Sequence, residues 1–201
     1  MTSPRPPLLI VVSAPSGAGK TTLCDRLLAE RSDIVYSVSC TTRPPRGREV
    51  DGQDYFFLTE EDFARRIQRG ELLEHAVVHG YAYGTPRERV VETLASGRSV
   101  LMDIDVQGAR QIRECVRQAA ADDPLRAAFV DIFIEPPSLE ALRQRLERRG
   151  EDSPAVIARR LRNAEDELRQ RNEYRYRVVN GDLATAYRDL TAIIRAAQES
   201  G

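Results

Sequence analysis

The feature that most constrains the fold is a glycine-rich turn, Ala14–Thr21, between an apolar run and a helical pattern. The run Leu8–Ser13 has the composition of a buried strand, and apolar residues recur at helical spacing across Thr21–Arg31. Glycines let successive backbone N–H groups curl around a phosphate, and the positive end of the following helix adds attraction. A chance turn before a helix is the alternative, but the flanking strand and helix favour a nucleotide-phosphate site.

The loop sequence APSGAGKT matches the Walker A spacing, except that Ala14 holds the first glycine position. Lys20 is the single lysine among 30 basic residues. A lysine kept where arginine is otherwise used indicates a need for a compact charge on a flexible stem, here for the β- and γ-phosphates of ATP. The Thr21 hydroxyl is a candidate Mg²⁺ ligand. The predicted ATP-binding residues of this segment are Ala14, Pro15, Ser16, Gly17, Ala18, Gly19, Lys20, Thr21 and Thr22.

Strand and helix patterns alternate along most of the chain, which predicts an α/β fold. Parallel strands joined by helices form a sheet covered on both faces, so we expect a P-loop NTPase-type core. Predicted strands are Leu8–Ser13, Ser99–Ile104, Phe129–Ile134 and Arg177–Val179. Predicted helices are Thr21–Arg31, Thr59–Gly70, Thr85–Gly97, Val106–Gln118, Ser138–Arg149, Ser153–Arg171 and Asp182–Ala197. The segment Ser37–Phe57 lacks helical periodicity and is predicted as short strands and loops.

Charge, hydropathy and cysteine content exclude several functional classes. The net charge is -1, which gives no overall positive field for nucleic acid. The longest early apolar run, Leu8–Val12, is too short to cross a membrane. Cys24, Cys40 and Cys115 are scattered and form no zinc pattern. Reduced thiols fit a cytoplasmic enzyme. The lack of an overall positive field and the shortness of the apolar run predict neither nucleic-acid nor membrane partners. No feature of the sequence specifies an oligomeric state.

Asp103 ends an apolar strand, at the edge where open α/β sheets bind ligands. A carboxylate at this position can hold Mg²⁺ directly or through water. A solvated strand end is the alternative interpretation. Asp103 and Thr21 are therefore the predicted metal-binding residues.

The segment from Ser39 to Phe57 resembles the signature of the guanylate kinase family, S-x-x-x-T-R-x-x-R-x-G-E-x-x-G-x-D-Y-x-F. In this chain the glycine lies one place early, at Gly47, so that the usual Gly-Glu pair is Arg48-Glu49. Further similar segments cover nearly the whole chain: Leu73–His75, Tyr83–Thr85, Leu101–Gly108, Ile134–Ser138, Arg145–Gly150, Arg160–Leu161 and Val178–Leu183, where Gly181 departs from the usual aspartate.

The resemblance implies an enzyme that transfers the γ-phosphate of ATP to GMP, and to dGMP, with Mg²⁺. ATP and GMP would be its small-molecule partners. It also implies a domain organisation: a disordered tail at 1–6, a P-loop core at 7–36 and 98–201, a small GMP-binding insert at 37–83 and a helical lid at 137–170.

The resemblance assigns roles to individual residues. Arg43, Arg46 and Tyr55 would bind the GMP phosphate, since guanidinium groups and a phenol hydroxyl suit a dianion. Asn180 would lie near the adenine of ATP. The implied GMP-binding residues are Ser39, Arg43, Arg46, Tyr55, Glu74, Tyr83, Thr85, Asp103 and Asp105. The implied catalytic residues are Lys20, Arg43, Arg145, Arg149 and Arg160, of which the last three would close over the phosphoryl group as a lid.

Several of these roles have a simpler alternative. Arg43 and Arg46 could be surface charges in an arginine-rich chain, and Tyr83 could serve packing alone. Thr85 begins a capping-box pattern with Pro86 at the first helical position, so it could be only a helix cap. Arg145 and Arg149 lie four residues apart on one helical face, where like charges repel unless an anion lies between them.

Two other functions compete with GMP phosphorylation. One is phosphorylation of a different nucleoside monophosphate, which Glu74 and Asp105 argue against. The other is a non-catalytic guanylate-kinase-like binding module. Such modules have a degraded phosphate loop, whereas Gly19–Thr21 is intact here.

Overall fold

A computed structural model describes residues 5–150 and 152–200, except for the side chains of Arg149 and Ser200. Within these residues the strands form a five-stranded sheet and a four-stranded sheet. Of the tail predicted at 1–6, residues 1–4 lie outside the described part, while the Pro6 carbonyl accepts a hydrogen bond from Gln198 Nε2 at 3.4 Å. No described helix is both long and apolar enough to cross a membrane.

The large sheet is parallel throughout and has β1 at its centre. Its strands are β1 Leu9–Ser13, β2 Ile34–Tyr36, β7 Ser99–Asp103, β8 Phe129–Glu135 and β9 Tyr176–Val179. Their order is β2-β7-β1-β8-β9, and Leu9 lies beside Val100 on one side and Phe129 on the other. All five residues of β1 are buried, which explains its continuous apolar run.

Helices cover both faces of this sheet, as predicted. They are α1 Lys20–Glu30, α3 Arg87–Ala95, α4 Val106–Gln118, α5 Pro124–Ala128 and α8 Leu183–Ser200. Ile10 and Val12 of β1 face a cluster that contains α1 and α8 residues. Leu9 and Val11 point the other way, into a cluster formed with α3, α4 and α5. Full burial of each such side chain contributes roughly 1.5–3 kcal/mol. The predicted α/β class is confirmed.

The small sheet is a separate layer with its own core. Its strands are β3 Cys40–Thr41, β4 Phe56–Phe57, β5 Leu72–Val78 and β6 Tyr81–Pro86, in the order β4-β3-β6-β5. Helix α2, Glu60–Gln68, precedes β5, and its Phe63 packs with Cys40 and Leu72. The register of β5 against β6 shifts between Leu72 and His75.

A third, smaller unit consists of two helices after β8. They are α6 Leu139–Arg149 and α7 Pro154–Arg169, which pack through Leu142, Leu146 and Ala164. A 3₁₀ turn, Arg171–Glu173, follows α7 and leads into β9, so α7 ends two residues before the predicted Arg171.

One helix start was predicted wrongly. Helix α3 begins at Arg87 and its N-cap residue is Pro86, while Thr85 lies in β6. The Thr85 hydroxyl donates a hydrogen bond to Glu74 Oε1 at 2.7 Å and therefore does not cap the helix. Pairing of β6 with β5 and β3, which the local pattern does not reveal, holds Thr85 in extended conformation.

Candidate active site

The phosphate loop has the backbone shape that its glycines allow. Gly17 and Gly19 have φ angles of +92° and +90°, in the left-handed region that disfavours side chains. A Cβ atom at Gly19 would also lie 2.3 Å from Asn180 Nδ2, so space as well as conformation requires glycine. Helix α1 begins directly after Gly19, and its first turn carries no carboxylate. The first N–H groups of α1 are thus available to an anion.

Lys20 lies between the loop and the end of β7. Its ammonium forms an ion pair with Asp103 and donates a hydrogen bond to the Ile104 carbonyl at 3.1 Å. The two charged side chains are only 18% and 16% exposed, which places Asp103 in the site rather than in open solvent. The structure therefore brings together the predicted Lys20 and Asp103.

Two oxygen donors suited to a magnesium ion lie at the start of α1 and at the end of β7. Thr21 is exposed at the start of α1, and Asp103 ends the neighbouring strand. Among residues 5–150 and 152–200, no group of three acidic, histidine or cysteine side chains could hold a metal alone. A nucleotide-bound Mg²⁺ takes one or two protein oxygens and completes its shell with phosphates and water, and the Thr21 hydroxyl and the Asp103 carboxylate are donors of this kind. The residues present fit this ion.

Arg43 is buried in the small sheet, with only 4% of its surface exposed. Its guanidinium donates to Glu49 Oε1 at 2.8 Å and to the Pro44 carbonyl at 2.9 Å. It lies 5.3 Å from the ring centre of Tyr55, and the Tyr55 ring contacts Tyr83 edge-on at 6.0 Å. The hydrogen bond to Glu49 raises the pKa of Arg43 above its usual range. Arg43 is thus not a solvated surface charge.

Glu49 organises the loop beside Arg43 and was missed as a site residue. Its second oxygen, Oε2, accepts the backbone N–H of Arg46 at 2.7 Å, while the Arg46 side chain is exposed. Hydrogen bonding by Arg43 lowers the pKa of Glu49. The displaced glycine, Gly47, has a φ of +57° within this turn. Although it lies one position early, it still adopts the left-handed backbone conformation that favours glycine. The glutamate of the family signature was the available signal.

Glu74 is a buried carboxylate, 9% exposed, at the junction of the small sheet and α4. Besides the bond from Thr85, its Oε2 lies 3.4 Å from where a Cβ on Gly108 of α4 would be. Asp105 caps α4, since its Oδ1 accepts from the Gly108 N–H at 2.8 Å. Burial raises the pKa of Glu74, and the charge of Asp105 raises it further. Three predicted guanine-site residues, Glu74, Thr85 and Asp105, therefore lie together.

The remaining insert residue, Ser39, lies just before β3. Its carbonyl accepts the Phe56 N–H at 2.9 Å, which helps to pair β3 with β4. The structure gives it no hydrogen bond to Glu74 or Asp105 among the described contacts. Ser39 thus has a structural role in the small sheet, and its contact with a base stays a prediction.

Arg145 and Asn180 border a cavity of about 450 Å³ on the outer side of the loop. Arg145 donates to the Asn180 carbonyl at 2.6 Å and to the Ala18 carbonyl at 3.5 Å. Asn180 Nδ2 donates to the same Ala18 carbonyl at 2.8 Å. The cavity is also lined by Gly17, Gly19, Thr22, Arg148, Gly181 and Leu183. Arg145 is therefore fixed beside the residue predicted to lie near adenine.

The other two predicted lid arginines differ from Arg145. Arg160 on α7 forms an ion pair with Asp152 at 3.0 Å. The side chain of Arg149 lies outside the part of the chain that the structure describes. Of the two lid arginines whose side chains the structure describes, Arg145 reaches the phosphate loop and Arg160 does not.

Glu167 is a second residue that the sequence did not single out. It lies on α7, seven residues after Arg160, and is half-buried against the loop. Burial raises the pKa of Glu167 and Asp105 raises it further, whereas Lys20 and a hydrogen bond from the Ser16 backbone lower it. These neighbours place Glu167 beside the phosphate loop. The spacing of seven from Arg160, which puts both residues on one helix face, was the available signal.

Comparisons with known proteins agree on one family. The family model described as guanylate kinase matches residues 7–197. A guanylate kinase from Symbiobacterium thermophilum is 51% identical over 94% of this chain and 85% of its own length. One from Nitrosomonas europaea is 49% identical over 94% of this chain and 89% of its own.

A solved structure resembles the fold as well. The crystal structure of guanylate kinase from Anaplasma phagocytophilum matches with a TM-score of 0.66 and 35% identity. The match covers 96% of this chain and 86% of that one.

Proposed function

Because this chain belongs to the guanylate kinase family, whose enzymes transfer the γ-phosphate of ATP to GMP, we propose that it binds ATP at the phosphate loop and GMP at the small sheet. The observation that carries the guanine assignment is the buried Glu74 carboxylate, held by Thr85 where the small sheet meets α4. A carboxylate buried without a cationic partner is costly, which supports a ligand that supplies hydrogen-bond donors.

We propose that Glu74 accepts both donors on one edge of guanine, N1–H and the exocyclic amine. A carboxylate offers two acceptors at matching spacing. Asp105 and Ser39 would complete the base site, with Thr85 orienting Glu74. Adenine presents an acceptor at N1 and no amine at C2, so it would leave the carboxylate unpaired. This contrast supports GMP over AMP as acceptor.

The GMP phosphate would bind to Arg43, Arg46, Tyr55 and Tyr83. Arg43 is held in place by Glu49 and lies near Tyr55, so its guanidinium is oriented before the substrate arrives. An oriented guanidinium binds a phosphate at little further cost in side-chain entropy. GMP binding would require the Arg43 bond to Glu49 to lengthen or be shared.

ATP would lie with its phosphates in the loop and its adenine in the cavity beside Asn180 and Arg145. Lys20 would move from Asp103 toward the β- and γ-phosphates, and Thr21 and Asp103 would hold Mg²⁺, with Asp103 bound to it directly or through water. The ion supplies neutralisation of phosphate charge. The acceptor is a phosphate oxygen that is already anionic, so this chain needs no general base; its residues position the substrates and stabilise charge.

We propose that α6 and α7, within residues 137–170, close over the bound nucleotides as a lid and exclude water. Without such closure ATP would be open to hydrolysis.

The GMP-binding unit would extend beyond the predicted 37–83 to residue 86, because β6 ends at Pro86. The three cysteines are free thiols, which supports a location in the cytoplasm.

A coupled assay of ADP release with a panel of acceptors tests the function. We expect turnover with GMP and dGMP, and at least a thousandfold lower efficiency with AMP, CMP and UMP, because only guanine fits a carboxylate-built site. Equal efficiency with AMP would contradict the proposal, as would ADP release that is independent of any acceptor.

Replacement of Arg145 tests the proposed adenine side of the ATP site. Arg145→Ala should raise the KM for ATP about tenfold and leave the KM for GMP unchanged, because its contacts are with Ala18 and Asn180. Arg143→Ala serves as the matched control, because Arg143 lies on the same helix, is exposed and pairs with Glu140 rather than lining the cavity. A loss of kcat with an unchanged KM for ATP would instead return Arg145 to the transferring phosphoryl group.

A further inference from the structure

One side chain of the core, Gln111 of α4, holds the edge strand of the small sheet by two hydrogen bonds. β5 is at the edge of its sheet, and both backbone groups of His75 point away from β6 toward α4. Gln111 Oε1 accepts the His75 N–H at 3.0 Å, and Gln111 Nε2 donates to the His75 carbonyl at 2.9 Å. One amide thus replaces the pair of hydrogen bonds that a further strand would make. We call this pair of bonds the Gln111 clamp.

The clamp acts next to an irregular stretch of β5. The register passes from Leu72 opposite Pro86 to His75 opposite Gly84, so β5 contains one residue more than its partner between these points. Leu73 and Glu74 lie in this bulge. A bulge re-aims a side chain and removes ladder hydrogen bonds, so the direction of Glu74 depends on what fixes the residues on either side. His75 is the residue that the clamp fixes.

Helix α4 contacts the two neighbouring residues of β5 at two points on one face. Glu74 Oε2 lies against Gly108, and Gln111, three residues later, binds His75. Positions three apart lie on the same side of a helix. The same helix begins at Asp105, which caps it. The clamp therefore fixes the spacing between the Glu74 carboxylate and Asp105 across the junction of the two sheets.

We propose that Gln111 is a positioning residue for base recognition, which holds Glu74 at the distance from α4 that guanine requires. The inference rests on the proposed function in one respect, that Glu74 accepts the guanine donors. The competing explanation is that the clamp only attaches the small sheet to the core. The two explanations differ in which kinetic parameter a lost clamp would change.

Gln111→Met tests the inference, because methionine keeps the length of the side chain and removes both hydrogen bonds. Two neutral hydrogen bonds of ordinary strength together change an equilibrium constant by roughly five- to hundredfold. We therefore expect the KM for GMP to rise about tenfold. The KM for ATP should not change, and the GMP-to-AMP ratio of kcat/KM should fall. Hydrogen exchange at the His75 amide should accelerate in the same variant.

Gln118→Met is the matched control. Gln118 lies on the same helix and its side chain bonds Glu114 of that helix rather than the small sheet. Its replacement should leave both KM values unchanged. If Gln111→Met proves unfolded, Gln111→Glu tests the same contact, because it keeps the acceptor for the His75 N–H but sets a carboxylate oxygen against the His75 carbonyl, so it should also raise the KM for GMP.

A double-mutant cycle with Glu74→Gln separates the possible failures. If Gln111 acts by positioning Glu74, Gln111→Met should have little further effect on kcat/KM for GMP once Glu74 is replaced by Gln. Faster exchange at His75 with an unchanged KM for GMP would overturn the inference and leave the proposed function intact. So would equal effects of Gln111→Met in both backgrounds. If Glu74→Gln itself leaves base selection unchanged, the proposed guanine site fails, and the inference fails with it.

Discussion

Lys20→Ala is expected to lower turnover at least a hundredfold while the protein remains folded. Loss of a preorganised charge that faces the transferring phosphoryl group costs roughly this much in other enzymes. The change also removes the partner of Asp103, so the carboxylate would repel the nucleotide. The measurement is kcat with saturating ATP and GMP, together with a thermal unfolding curve.

Lys20→Arg is the matched control for charge. A planar guanidinium keeps the positive charge but cannot follow the path of a compact ammonium from Asp103 to a bound phosphate. We therefore expect only partial recovery of kcat. Near-normal turnover in either variant would contradict the assignment of the phosphate loop.

Glu74→Gln is expected to cost about 2–4 kcal/mol in kcat/KM for GMP, because it breaks a charge-assisted pair of hydrogen bonds. The glutamine keeps the shape of the side chain and exchanges one acceptor for a donor. The GMP-to-AMP ratio of kcat/KM should fall at the same time, since the amide can serve either base. Both nucleotides are measured in the same coupled assay.

Arg43→Ala provides the contrasting control. The phosphate is common to all monophosphates, so this variant should weaken GMP and AMP alike and leave their ratio unchanged. If Glu74→Gln leaves the ratio unchanged, another residue recognises the base, most directly Asp105 with Ser39.

The raised pKa of Glu74 adds a pH dependence to this test. Burial favours the protonated acid, so the carboxylate is lost on acidification at a higher pH than for an ordinary glutamate. The protonated form cannot accept both guanine donors. The GMP-to-AMP ratio should therefore fall as the pH is lowered through this pKa, and it should be flat in Glu74→Gln. Phosphate ionisation is shared by both nucleotides and cancels in the ratio.

Local patterns predicted the large sheet except β2, and its helices except α5, because most of these elements carry their signals within a few residues. The buried run of β1 and the glycines of the loop are examples. The hairpin of β5 and β6 was missed because Leu72–Val78 does not alternate apolar and polar residues, and because its pairing with β6 includes a bulge. The same pairing misled the interpretation of Thr85, whose capping pattern is real but whose hydroxyl binds Glu74.

Site residues were predictable where a motif fixes them and not where the fold alone does. Lys20, Asp103, Glu74 and Asp105 lie in recognisable segments. Gln111 meets His75 across 36 positions of sequence, and Glu167 reaches the loop from α7. The Gln111 contact leaves no local signal, because it depends on how separate layers dock, and the one local signal for Glu167 is its spacing of seven from Arg160.

The support of the phosphate loop by Asn180 has a consequence for how the protein is made. The bond from Asn180 to Ala18 spans 162 positions, and β1 lies between strands that are synthesised much later. During translation, the loop is among the first segments to emerge, yet its support is among the last. Nascent chains that stop before residue 180 therefore lack the hydrogen bond with which Asn180 supports the loop. Such long-range closure also slows folding relative to locally connected proteins.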